Sequence, residues 1–242
     1  MKFSSKLQEG VFLKRYKRFF ADIDFQGQVV TAHCPNTGSL KSINNPGQAC
    51  LFSESKNPER KLKFTLEMIK SPSGSWVGVN TATPNTVVKE ALQNVVGRND
   101  VTGSFAAWSA FHEVKPEYKI NAETRLDFGL KSQNSDKVHF IEVKNVTLAE
   151  EGIAKFPDAV SERAQKHLRE LMNLIEQGHS AEIVFTIQRD DCHTFAPADD
   201  IDPEYGRLLR EAQSKGLKIS PLVVDLQPDE VSLSDKILAV SL

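Results

Sequence analysis

Apolar positions change their rhythm once along this chain of 242 residues. Up to about residue 83 they come in short β-branched and aromatic runs cut by turn clusters. "GVFLKRYKRFFADIDF" reads as one extended run with mixed alternation, and "QVVTAHC" ends at "PNTGS". "QACLFSES" and "KLKFTLEMIKS" are separated by "KNPER", and "SWVGVN" follows "SPSG". Five strands in some eighty residues predict a small barrel, and a five-stranded Greek-key barrel of the OB type suits the count. After "TATPN", Pro84 opens a helix over "TVVKEALQNVVG" that Gly97 ends. Strands are expected near 114–120, 124–131 and 137–146. Ala164, Leu168, Leu171, Leu174 and Ile175 then recur at helical spacing until Gly178. "AEIVFTIQ" is a strand, "DPEYGRLLREAQSKG" a helix and "LKISPLVVDL" a strand. The pattern predicts a two-domain α+β or α/β protein: a barrel over residues 1–83 and a mixed sheet flanked by helices over 84–242.

Charge interrupts this pattern in one place. In "VHFIEVKNV", Ile141 and Val143 occupy one face, while Val138, Phe140, Glu142, Lys144 and Val146 occupy the other. Both faces are partly apolar, as in a covered central strand. In "TRLDFGL", Leu126 and Phe128 are expected on one face and Asp127 with Arg125 on the other. Buried carboxylates are costly unless paired or metal-bound. An acid ending one strand, with an acid and a lysine on its neighbour, makes a site for a hard cation such as Mg²⁺ or Mn²⁺. The plainer alternative is an exposed Glu–Lys pair beside an aspartate that merely ends a strand. A hairpin through "KSQNSDK" would make the two strands antiparallel neighbours and bring the carboxylates together.

Net charge is −2 but unevenly spread. Residues 1–83 hold 12 Lys and Arg against 6 Asp and Glu, and the remainder hold 18 against 26. A basic front and an acidic rear point to two functional halves and to a polyanion such as DNA on the barrel. "LKRYKRFF" interleaves Lys14, Arg15, Lys17 and Arg18 with aromatic residues, a recipe for single-strand binding. The aromatics are expected mostly in the barrel core. Asn36 and Thr37 in "CPNTGSL" either meet a ligand or close a hairpin in which Gly38 takes positive φ. Three widely spaced cysteines form neither a zinc pattern nor a disulfide framework, which agrees with a reducing cytoplasm. The first residues lack the apolar core of a secretory signal, and no run of about 20 apolar residues implies a membrane span.

The blocks "CPNTGSL", "NPERKLKFTLE", "RLDF", "FIEVKNVTL", "FPDAVSERAQKHLREL" and "IDPEYGRLLREAQSKG" resemble the sugar fermentation stimulation protein A (SfsA) family over about residues 10–225. The D-x14-E-x-K spacing of Asp127, Glu142 and Lys144 is similar to the PD-(D/E)xK nuclease core, with Leu126 where that motif's name places a proline. The resemblance implies an N-terminal OB-type domain, a C-terminal nuclease-like domain, DNA binding, and a regulatory role in sugar, notably maltose, metabolism. Asp127, Glu142 and Lys144 match the catalytic core, and Asp127 and Glu142 would hold the metal. Asp158, Arg163, Lys166 and His167 fall in the family's "FPDA…R…KHL" block, with Gln165 beside them. Nuclease-like folds often add an acid on the helix before the sheet, here Glu90. Arg125 and Lys166 are nucleic-acid contacts on this reading. Asp158 is equally a helix N-cap, and His167 equally a satisfied helix histidine. Three activities remain open: a metal-dependent nuclease-like site on a DNA-binding protein, a DNA-binding regulator without turnover, and a metal enzyme acting on a sugar phosphate.

Overall fold

The computed structural model describes residues 1–122 and 124–242. Strands β1 (Gln8–Tyr16), β2 (Phe20–Phe25), β3 (Gln28–His33), β4 (Ala49–Glu54), β5 (Phe64–Lys70) and β6 (Trp76–Gly78) form one sheet in the order β3-β2-β1-β4-β5-β6. A β3–β5 pairing closes the first five into an OB-like barrel, with β6 added outside β5. Phe12, Ile23, Phe52, Leu66 and Ile69 fill it. The barrel differs from the sequence expectation in two respects. "SWVGVN", expected as its fifth strand, supplies β6 outside the closed five. The run over residues 10–25 folds back on itself into β1 and β2. Its turn uses Lys17 and Arg18 at φ 48° and 63°, a left-handed conformation without the Gly or Asn that normally signals it.

Helix α1 (Thr83–Val95) follows, then the short α2 (Ala106–Ser109). Strands β7 (Glu113–Lys119), β8 (Arg125–Lys131) and β9 (Val138–Val146) form an antiparallel meander. Helix α3 (Glu162–Glu176), β12 (Ser180–Ile187), α4 (Pro203–Ser214), β14 (Lys218–Leu226) and β15 (Val231–Ile237) complete the unit. The sheet order is β15-β14-β12-β9-β8-β7, with β9, β12 and β14 parallel. Four short strands that periodicity did not reveal make a second sheet: β10 (Ala149–Glu150), β11 (Ile153–Phe156), β13 (Thr194–Pro197) and β16 (Ala239–Val240).

The large sheet is covered on both faces, as the mixed apolar pattern of β9 requires. Phe140 and Val146 pack with α3 and α4, while Ile141 and Val143 pack with α1 and with Leu51 and Met68 of the barrel. Leu126 and Phe128, expected on one face, fall in opposite clusters, on either side of Asp127, where the β8–β9 pairing has ended.

Barrel and α/β unit are stitched together. Gly78 N–H donates to Gln188 O at 2.9 Å. The buried Arg189 guanidinium donates to Ser42 Oγ and Thr147 O at 3.2 and 3.1 Å, and its partner Asp191 accepts from Ser73 Oγ. The first residues belong with the far end of the chain: Met1 and Phe3 bond Val231 and Asp229, and Lys2 bridges Glu230. The three cysteines are free and buried. Among the described residues no helix is long and apolar enough to cross a membrane.

Candidate functional site

Antiparallel pairing of β8 with β9 runs from Lys131↔Val138 to Phe128↔Ile141 and stops there. The next positions in that register are Asp127 and Glu142. Where the backbone ladder ends, the Asp127 side chain takes over: Oδ2 accepts from Val143 N–H at 2.7 Å, and Oδ1 accepts from Asn85 Nδ2 at the start of α1, also at 2.7 Å. Glu142 is 3% exposed. Its Oε1 accepts from Lys144 Nζ at 2.5 Å and lies against His167 Nδ1 of α3. Asp127, Glu142 and Lys144 thus line one cleft of about 340 Å³, with Thr81, Asn85, Asn145 and Arg163.

Electrostatics separates the two acids. Burial, reinforced by the Glu142 charge, pushes the Asp127 carboxyl up to about 6. Burial also acts to raise Glu142, but Lys144 and His167 outweigh it and hold this carboxyl below its ordinary value. At neutral pH both acids are ionised, and only Glu142 has an ammonium, that of Lys144, in direct contact. The two carboxylates and their surroundings suit a hard divalent ion, which keeps several waters and takes one or two carboxylates. Among the described residues no three His, Cys, Asp or Glu side chains form a complete protein cage for a metal.

Glu90 does not join this cleft. Its carboxylate pairs with the Met1 ammonium at 2.6 Å. Asn85, one and a half turns earlier on α1, is the residue that reaches the site. Sequence reasoning passed over it, and its position in the first turn after the "TATP" junction was the available signal. Gln165 also points elsewhere: it donates to Asp202, which caps α4. Asp158 does not cap α3. Ser161 does, accepting from Ala164 N–H at 3.2 Å, while Asp158 accepts from Ser39 N–H of the barrel at 2.8 Å. His167 does meet the site, through Glu142. Beside it Arg125, Arg163 and Lys166 line a second cleft with two acids, Glu117 and Glu162; Arg125 lies 4.0 Å from Glu117, and Arg163 belongs to both clefts.

On the barrel the four basic residues divide. Arg15 is a scaffold: its guanidinium donates to the carbonyls of Arg18, Gly38 and Asn36 at 2.9, 2.7 and 2.5 Å. Asn36 is buried, accepts from Gly38 N–H and donates to Val79 O, so its side chain builds the loop instead of facing a ligand. Thr37 is exposed on that loop. Gly38 serves by closeness and not by positive φ, since a Cβ there would run into the Asp158 carboxylate. Lys14 lies 3.5 Å from Asp22 and over the Tyr16 ring, whereas Lys17 and Arg18 project from the turn. The aromatics are less buried than expected. Phe12 is core, but Tyr16 and Phe19 are 36% and 44% exposed, stacked on Phe20 and His33. The turn lifts them out of the barrel.

An OB-like barrel fused to a two-face-covered mixed sheet, with an acid–acid–lysine cleft where two strands part, defines the class of this chain. Residues 13–79 match the family model described as the SfsA N-terminal OB domain, and residues 82–230 match that of the sugar fermentation stimulation protein RE domain. The chain belongs to the sugar fermentation stimulation protein (SfsA) family. A sugar fermentation stimulation protein homolog of Bdellovibrio bacteriovorus is 77% identical, covering 100% of both chains. A homolog of Geotalea uraniireducens is 44% identical over 93% of each. The solved structure of Pyrococcus furiosus SfsA in complex with Ca²⁺ superposes with a TM-score of 0.85 at 24% identity, covering 100% of this chain and 98% of that one.

Proposed function

We propose that this protein binds DNA and carries a divalent-metal-dependent, nuclease-like phosphodiester site. The observation that carries the reading is the convergence of Asp127, Glu142 and Lys144 on one cleft, with the cations Arg125, Arg163 and Lys166 in the adjoining one. Asp127 and Glu142 would hold Mg²⁺ or Mn²⁺, and the donor chemistry suits it: hard carboxylate oxygens in one cleft, and a carboxyl whose charge lacks a direct cation. Such an ion polarises a phosphodiester and acidifies a coordinated water. The chain's own groups do the rest. Lys144 orients the attacking water and faces the charge that develops. His167 holds Glu142 in place. Arg125, Arg163 and Lys166 grip neighbouring phosphates, and Lys14, Lys17 and Arg18 track the backbone while Tyr16 and Phe19 stack on bases. The Pyrococcus furiosus protein was solved in complex with Ca²⁺, which supports a divalent cation on this fold. The relatives' name connects the family with sugar fermentation, and we assign the protein's DNA-directed role to the cytoplasm, in the regulation of sugar, notably maltose, metabolism.

One observation favours a second reading, a DNA-binding regulator without turnover: Glu142 Oε1 is satisfied by Lys144 and His167 without any metal. A sugar-phosphate enzyme would leave the exposed aromatic and basic turn without a purpose. End-labelled DNA incubated with the purified protein in Mg²⁺, Mn²⁺ or EDTA separates these. Metal-dependent cleavage that disappears in Asp127→Asn supports the nuclease reading. Retention of DNA without cleavage in any metal supports the regulator, and absence of retention removes both.

A further inference from the structure

A third cleft, of about 310 Å³, opens where the barrel meets the α/β unit. Its walls include Thr37, Thr81, Asn145, Thr147 and Phe156, and it shares Thr81 and Asn145 with the acidic cleft. The three clefts therefore adjoin in a row: an end carrying three cations and two acids, the carboxylates in the middle, and this junction at the other end.

The junction is chemically unlike the charged end. Its lysine, Lys155, is paired with Glu150, and its acid, Asp158, accepts the Ser39 amide. What it offers a ligand is neutral: hydroxyls, an amide, and the apolar Phe156, Pro157 and Val160. Asn145 Oδ1 is buried and has no hydrogen-bond partner among the described residues. An unpaired buried carbonyl is costly, and an amino or imino N–H of a ligand would satisfy it. The wall is built in advance by Arg15, by Asn36 and by the close approach of Gly38 to Asp158.

We propose that this junction is a nucleoside pocket that takes one unstacked nucleotide beside the phosphate held at Asp127 and Glu142, which makes the substrate a single strand or a locally unpaired one. The inference rests on the reading of the acidic cleft as a DNA site. A base still in a duplex presents only its groove edges and cannot enter a pocket lined on several sides. Phosphates take the charged end, the base and sugar take the neutral end, and the exposed Tyr16–Phe19 turn, tied to the pocket wall through Arg15, receives the bases beyond.

The test uses the full chain in EDTA, so that no turnover intervenes, with single-stranded oligonucleotides carrying 2-aminopurine at one position at a time. Fluorescence anisotropy reports binding, and 2-aminopurine emission reports the local surroundings of each base. The expected result is an emission change concentrated at one position, abolished by Asn145→Leu and reduced by Thr37→Ala, with affinity falling about two- to tenfold, as for one lost hydrogen bond. Thr37 is exposed, so its variant folds even if the Asn145 variant does not. Binding with an emission change that is uniform along the strand, or that survives both substitutions, overturns the pocket and leaves the DNA-site reading standing. Absence of any binding overturns both. A duplex of the same sequence is expected to compete poorly, and equal competition also overturns the proposal.

Discussion

The Asp127 carboxylate accepts the Val143 amide at 2.7 Å, one step beyond the last pair of the β8–β9 ladder. A side chain thus replaces a backbone rung. This keeps the strands close enough for Asp127 and Glu142 to share a cleft, yet open enough for that cleft to exist. The cost is an ionised carboxylate with no cation directly beside it.

That cost is measurable. The Asp127 carboxyl is raised from 3.8 to about 6, so its stabilising contribution is present below the lower value and lost as pH rises through the upper one. The metal-free protein should therefore lose melting temperature between about pH 4 and 6. Asp127→Asn should lack this loss and melt higher than the wild type at pH 7, because Asn85 can turn its amide to present its oxygen to the new Nδ2. Millimolar Mg²⁺ or Mn²⁺ should raise the wild-type melting temperature at pH 7 by mass action and leave the variant unmoved. Identical melting of the wild type with and without metal would refute the metal site.

Arg15 and its neighbours should separate folding from binding. Arg15→Ala removes charged donors from three carbonyls and should cost about 1.5–3 kcal/mol in urea unfolding. Lys17→Ala and Arg18→Ala should leave stability within about 0.5 kcal/mol. They should instead flatten the salt dependence of DNA binding by about 0.7 per lost contact on single strands. An unchanged slope in the double variant would move the binding surface elsewhere.

Glu182, 1% exposed in the large sheet, should dominate acid stability. Burial opposes its charge, but hydrogen bonds from His139, Ser220 and Trp108 and the nearby Lys218 bring its carboxyl down to about 2. Its contribution is fully present above 4.5 and lost as pH falls through about 2. Glu182→Gln should lower stability at pH 7 by on the order of 3 kcal/mol. The difference from wild type should shrink as pH is lowered toward 2 in a circular-dichroism melt series. A pH-independent difference would contradict the assignment.

Gly38→Ala should displace the loop at the barrel junction, because its Cβ meets the Asp158 carboxylate. Asp158→Ala in the same chain should restore much of the loss, whereas the two changes should simply add if the contact is immaterial. Denaturant midpoints of the four proteins in that cycle decide it.

The sequence by itself determined most of the longer strands and helices and which charges are out of place. Periodicity placed α1, α3, α4 and the three strands β7, β8 and β9 within one or two residues. The i, i+2 rule put Glu142 and Lys144 on a common face. It erred where conformation is not written in local composition. The Lys17–Arg18 turn carries no turn residue, so β1 and β2 read as one run, and their aromatics were assigned to the core. Only the tertiary structure decided which cations are free. Arg15 and Lys17 are two residues apart and indistinguishable by composition, yet one holds three carbonyls and the other faces solvent. It likewise sent Glu90 to the N-terminus and Asn85 to Asp127. Hydrogen-bond partners lie dozens of residues apart in sequence, and only packing the barrel, helices and sheet together chooses among them.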